Sequence, residues 1–128
     1  MSFYLHNSPD FVLAWLGLWA IGAAPAMINY NLAGKALIHC LKVPQSTMLL
    51  VDEDPALRAR IEESREQIGG ELSTMIKVLD FQTMKDVRNQ KAERPADIFR
   101  EGVRGDWPMV MFFTRFVCTD PSTPQILI

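Results

Sequence analysis

The stretch N7-S-P-D-F-V-L-A-W-L-G-L-W-A-I-G-A-A-P-A-M-I-N29 decides the fold, because it admits two readings. Residues 11–28 carry no charge, and that length lies near the lower limit of a membrane span. Against a span, Gly17, Gly22 and five alanines dilute the stretch, and Pro25 interrupts any helix near its end. A signal peptide does not fit either, since His6-Asn7-Ser8-Pro9-Asp10 supplies no positive flank. The favoured reading is a buried helix of an α/β core. Ser8 is a natural N-cap, Pro9 fits the first helical position, and Asp10 complements the positive helix end. The spacing predicts a helix over 11–21 that stops near Gly22. Being apolar on nearly every face, it should be buried on most sides.

Working outward, strands alternate with helices. Phe3–His6 is a short strand before this helix, and P25-A-M-I-N29 is a second strand after it. Asn31 is a plausible cap for a helix over Ala33–Leu41. On that helix Leu37, Ile38, Cys40 and Leu41 form the apolar face, and Lys35 and Lys42 point outward. S46-T-M-L-L-V-D52 is a third strand. Asp54-Pro55 repeats the cap-plus-proline device before A56-L-R-A-R-I-E-E-S-R-E-Q-I68. There Arg58 is spaced to pair with Glu62, and Gly69-Gly70 ends the helix. T74-M-I-K-V-L79 is a fourth strand. Weak helical stretches follow around Lys85–Gln90 and Ala96–Glu101, then a loop containing Arg104, Gly105, Asp106 and Pro108. M109-V-M-F-F-T114 closes the series as a buried strand. Alternation of this kind, with strands that are continuous apolar runs, predicts an α/β fold. Its mostly parallel sheet should be covered by helices on both faces, with Leu50, Val51, Val110 and Phe112 buried on central strands.

The composition is that of one compact domain. Of 128 residues, 48% are hydrophobic and 22% charged, enough apolar material for a core. The net charge is −2 and basic residues are interleaved with acids, which excludes a nucleic-acid surface. Cys40 and Cys118 stand far apart, with no CxxC, and neither His6 nor His39 is spaced to share a metal with them. Cys40 reads as a buried free thiol. Asp52, Glu53 and Asp54 could gather a metal, but a helix-capping acidic turn is the better reading. His39 lies on an apolar helix face and reads as a core histidine, and Met109 and Met111 read as core filler. No GxGxxG, Walker loop or Ser/His/Asp order is present. From these features alone no residue is assigned a catalytic role.

N7-S-P-D-F-V-L-A-W-L-G-L-W-A-I-G-A-A-P-A-M-I-N-Y-N-L-A-G-K-A-L-I-H-C-L-K-V43, followed by M48-L-L-V-D52, resembles the N-terminal region of the fatty acid transport proteins. These are the very-long-chain acyl-CoA synthetases of the AMP-forming, adenylating superfamily. The wording I28-N-Y-N-L-A-G-K-A-L-I-H-C-L-K42 is the most specific part and is closest to fungal members. The resemblance is strong over 3–53, loose over 54–104, and returns at G105-D-W-P-M-V-M-F-F-T114. It implies a partial adenylating-enzyme N-terminal domain over 1–114, about a fifth of a full enzyme of several domains.

The resemblance also implies ATP, Mg2+ and coenzyme A as cofactors of the full enzymes, and long-chain or very-long-chain fatty acids as substrates. It implies a membrane-associated location in the endoplasmic reticulum, peroxisome, lipid droplet or plasma membrane. In the family the last strand runs into a loop of the type TSGTTGxPK, whose glycines, hydroxyls and N–H groups cradle phosphates. Here Thr114 matches only the start of that motif. Arg115 stands where its serine should be, and no Gly-Thr-Thr-Gly follows. Residues 115–128 are therefore expected to be an unmatched, poorly packed tail. A retained intron would produce such a tail, and Val117-Cys118 can be encoded as GTATGT, a typical fungal intron start.

The expected function is thus that of part of an ATP-dependent fatty acid–CoA ligase, with no catalytic, cofactor or metal residue of its own. The alternatives are a non-catalytic interaction module that associates with a full-length homologue, with membrane or with itself, and a small membrane-associated protein held by residues 11–28. The chain should also be of low stability, since unpaired strand edges invite aggregation.

Overall fold

The computed structural model describes residues 1–91 and 93–113. Along them run β1 (Ser2–Tyr4), α1 (Pro9–Ala20), β2 (Ala26–Met27), α2 (Gly34–Lys42) and β3 (Met48–Asp52). Then come α3 (Pro55–Glu63), β4 (Met75–Leu79), α4 (Phe81–Asn89) and β5 (Met111–Phe112). The strands form one sheet in the order β4-β3-β1-β2-β5, and every neighbouring pair is parallel. The parallel α/β architecture expected from the alternation is therefore present.

Side chains on the two faces of the sheet build two cores. Tyr4, Ile28, Leu49 and Val51 point to one face, where Leu37 and Leu41 of α2 and Leu57 and Ile61 of α3 close over them. Phe3, Leu5 and Met27 point to the other face, beneath Leu18, Phe11 and Trp15 of α1. Adjacent residues of a strand face opposite ways, so the short run Phe3-Tyr4-Leu5 feeds both cores. An ion pair between Arg88 of α4 and Asp10 ties α4 to the α1 side.

Local chemistry explains the helix starts. Ser8 Oγ accepts the Phe11 N–H at 3.1 Å, and Asp54 Oδ1 accepts those of Ala56 and Leu57 at 2.7 and 3.3 Å. Pro9 and Pro55 occupy first-turn positions that need no N–H donor. Asp80 Oδ1 accepts the Thr83 N–H at 2.6 Å, so α4 starts at Phe81, ahead of the stretch expected from Lys85. Asn31 is not the cap of α2. The cap position is Ala33, which offers no side-chain bond, and the Asn31 N–H is turned to Asn29 Oδ1 at 2.9 Å.

Several expectations are corrected. Gly69 and Gly70 do not end α3, which stops at Glu63. They lie inside a π-helical turn, Gln67–Glu71, that carries buried Ile68 into the core. Glu62 pairs with Arg65 at 2.7 Å rather than with Arg58. His39 is exposed in the last turn of α2, because the buried stripe of that helix is Leu37, Cys40 and Leu41. The strand read over 109–114 is paired only at Met111 and Phe112 and forms a sheet edge, so Phe112 is 41% exposed and Val110 only half-buried. Leu50 is likewise half-buried, whereas Val51 is buried.

The helix in the opening stretch is also less buried than its composition predicts. Only Leu18 is fully buried, and Val12, Leu13 and Leu16 are 47%, 49% and 50% exposed. A helix lying on one sheet face buries one stripe, and among the described residues no layer covers the other. At about 1.5 Å per residue the 12 residues of α1 reach about 18 Å, against a bilayer core of ~30 Å. Beyond Ile21 the chain turns through Gly22 and enters β2, so residues 11–28 are a helix plus a strand rather than one span. Among the described residues no helix is long and apolar enough to cross a membrane.

Candidate functional site

In an open parallel sheet, ligands bind outside the carboxyl ends of the strands, where successive loops diverge. Here the chain passes from β2 across β1 to β3, so β1 and its neighbours define that edge. β1 delivers His6, β2 delivers Asn29 and Tyr30, β3 delivers Asp52, and β5 delivers Phe113.

Asp52 organises the edge. Its Oδ2 accepts the His6 N–H at 3.1 Å and stands 3.7 Å from His6 Nδ1, while its Oδ1 accepts the Asp54 N–H at 3.0 Å. The His6 ring meets Tyr30 edge-on, with centroids 4.6 Å apart. Arg60 of α3 donates to the Tyr30 carbonyl at 2.6 Å, and Tyr4 donates its hydroxyl to the Leu32 carbonyl at 2.6 Å. Burial pushes the Tyr4 phenol above its ordinary value, against the opposing pull of Arg60, so it remains a neutral donor. The β1–α1, β2–α2 and β3–α3 loops are thereby locked to one another.

Beside this cluster a cleft of about 350 Å³ opens at the ends of β1, β2 and β5. Phe3, Leu5 and Phe11 line its apolar part, Asn29 and Asn31 its polar rim, and Phe113 stands where the chain leaves β5. The cleft offers amide donors and acceptors and an apolar floor. It brings together no nucleophile with a base.

The residues singled out in the sequence fall as follows. Asp52 and Asp54 hold backbone N–H groups, which is the capping reading of the acidic turn. Among the described residues no group of three His, Cys, Asp or Glu side chains is gathered to hold a metal ion. Cys40 is buried in the core, and Met109 is 58% exposed rather than core filler. Thr114, Cys118 and the tail expected over 115–128 lie outside the described residues. The His6–Asp52–Tyr30 cluster was missed in the sequence. The signal that finds it is positional, since each residue stands at the end of an apolar run, just before a turn.

Residues 1–114 match the family described as AMP-binding enzyme. The chain belongs to the AMP-binding enzyme family. Among similar proteins, the very long-chain fatty acid transport protein of Saccharomyces cerevisiae is 47% identical over 62 residues, 48% of this chain and 9% of that protein. Isopenicillin N epimerase component 1 of Hapsidospora chrysogena is 46% identical over 65 residues, 51% of this chain and 11% of that protein. Long-chain fatty acid transport protein 2 of Rattus norvegicus is 35% identical over 63 residues, 49% of this chain and 10% of that protein. The matched part thus spans about a tenth of each relative's length. No solved structure matches significantly. The resemblance to fatty acid transport proteins is therefore established as membership of an AMP-binding lineage.

Proposed function

We propose that this chain supplies the opening part, over residues 1–114, of an ATP-dependent ligase for long-chain or very-long-chain fatty acids. The observation that carries the reading is the family match over 1–114, laid on a parallel sheet that ends with β5 at Met111–Phe112. Two of the three relatives named above are fatty acid transport proteins, which supports a fatty acid substrate. In such a reaction the fatty carboxylate would attack the α-phosphate of ATP and displace pyrophosphate, and the coenzyme A thiol would then take the acyl group from the resulting acyl-adenylate with release of AMP.

The described residues by themselves do not fit a triphosphate with its Mg2+. The carboxyl-end edge presents Asp52 and two asparagines, and the Arg60 guanidinium is already bonded to the Tyr30 carbonyl. The role proposed for these residues is positional. The Asp52–His6–Tyr30 lock ties together the three loops that leave β1, β2 and β3.

The deciding test starts from the genomic DNA downstream of the Thr114 codon. A frame resuming with Ser-Gly-Thr-Thr-Gly and a following Pro-Lys defines a longer product. That product should form acyl-CoA from palmitate or lignocerate, whereas the purified 128-residue chain should show no ATP–pyrophosphate exchange. Turnover by the 128-residue chain would refute the positional role. A longer product active on isopenicillin N but inert to fatty acids would refute the substrate.

The exposed Val12, Leu13 and Leu16 support a second reading, a non-catalytic module that pairs with another copy through α1. Sedimentation showing a monomer at every concentration would exclude it.

A further inference from the structure

An apolar hollow of about 450 Å³ opens where α1 ends and β2 and β5 begin. Trp19 and Ala23 form one wall, and Gly105, Trp107 and Met109 form the other. The walls are fixed to one another. Trp19 Nε1 donates to the Met109 carbonyl at 2.8 Å, and Gly22, at φ +71°, is packed so closely that a Cβ there would stand 2.4 Å from the Phe99 carbonyl oxygen. Despite this anchoring, Trp107 and Met109 remain 51% and 58% exposed. The charged residue of the lining, Arg104, is bonded to Asp106 at 3.0 Å, so the surface on offer is neutral and aromatic. Aromatic-walled grooves of this kind take polyproline-II segments, whose shape is set before binding and which therefore lose little chain entropy on docking.

This chain carries such a segment. Pro121-Ser122-Thr123-Pro124 has its two prolines three positions apart. A polyproline-II helix has three residues per turn, so both rings fall on one edge, about 9 Å from each other. The tether is long enough to bring them back. Met109 stands four positions before Phe113, ~13 Å away along an extended strand. The eight positions from Phe113 to Pro121 reach up to about 26 Å, which leaves length for a reversal. We propose that residues 121–124 of the same chain lie in this hollow, with Pro121 and Pro124 against the rings of Trp19 and Trp107. Docking there covers the tryptophan and methionine surface that the described residues leave open. The inference does not depend on the ligase reading, because the hollow lies at the amino ends of β2 and β5, across the sheet from the carboxyl-end cleft.

The test uses the full chain, a Pro121→Ala/Pro124→Ala double variant, and a synthetic peptide of residues 119–128 as probe. The double variant should bind the peptide saturably at one site in calorimetry, and iodide should quench its tryptophan fluorescence more than that of the wild type. The wild type should bind the peptide at least about tenfold more weakly, because its own tethered segment competes at millimolar effective concentration. Adding Trp107→Ala to the double variant should abolish peptide binding. Should that variant fail to fold, the wild type and the double variant still decide. Absence of peptide binding by the double variant would overturn the proposal, as would binding that survives Trp107→Ala. Equal affinity in wild type and double variant would show a hollow open to a segment of another protein and would overturn docking within the chain. A wild-type dimer in sedimentation that the double variant turns into a monomer would assign the segment to a second copy, which also overturns it.

Discussion

The two faces of the sheet are closed to different degrees. Beneath α2 and α3 ten buried residues, from Tyr4 to Ile68, form a continuous core. Beneath α1 the buried cluster among the described residues is Phe3, Leu5, Leu18 and Met27, and the helix shows Val12, Leu13 and Leu16 to the outside. Yet α1 is the more apolar helix. Burial therefore follows the number of layers present rather than the hydrophobicity of a segment. The α2–α3 face is held by side-chain packing. The α1 face is held by an aromatic ladder, Phe11–Trp15–Trp19, and by fixed backbone contacts where the helix ends. Among the described residues the buried Trp15 Nε1 meets no hydrogen-bond partner, a further sign of looser satisfaction on that side.

The largest expected effect breaks the closed face. Leu37 is fully buried, so Leu37→Ala should cost about 3 kcal/mol in urea unfolding. A loss below about 1 kcal/mol would show that this core is no tighter than the other.

Next comes the backbone anchor of the open face. Gly22→Ala forces a left-handed conformation on alanine and drives its Cβ into the Phe99 carbonyl. We expect a loss of about 2 kcal/mol, together with altered Trp19 fluorescence as the 97–109 segment shifts. A neutral result would mean that the end of α1 is not anchored there.

A pH series sharpens the comparison from the closed face. The Tyr4 phenol is raised above its ordinary 10.0, chiefly by burial. Above that value the unfolded chain loses the proton while the folded chain keeps it, so stability is full below pH 10 and declines as the pH climbs toward the folded value. Tyr4→Phe should flatten this alkaline decline, at the cost of the bond to Leu32, about 1 kcal/mol at neutral pH. An unchanged alkaline slope in Tyr4→Phe would assign the decline to another group.

The smallest effect is expected on the outer side of α1. Leu16→Gln, at a half-exposed position, should change stability by less than about 0.5 kcal/mol while improving solubility. A loss comparable to that of Leu37→Ala would mean that α1 has a partner in solution, which is the self-association reading.

Local signals were sufficient for much of the fold. Ser8-Pro9 and Asp54-Pro55 mark helix starts by hydrogen-bond chemistry that acts within three residues, and both operate as read. The apolar runs in β1 and β3, separated by helices, sufficed for a parallel α/β sheet. The wording of residues 7–52 carried the family resemblance. What a short window lacks is the position of an element in the sheet. M109-V-M-F-F-T114 has the composition of a central strand, but β5 lies at an edge because the order is β4-β3-β1-β2-β5. His39 looked internal because its neighbours are apolar, yet a helix selects its buried stripe by rotation against the sheet. The capping role of Asp54 could be read locally, whereas the union of His6, Asp52 and Tyr30 needed three strands to end side by side. The sequence by itself determined which residues start helices, which runs can be strands, and the family. Only the tertiary structure decided which strand is central, which half of α1 stays uncovered, and which side chains meet at each end of the sheet. Those outcomes depend on contacts between residues far apart in the chain, and no local pattern encodes them.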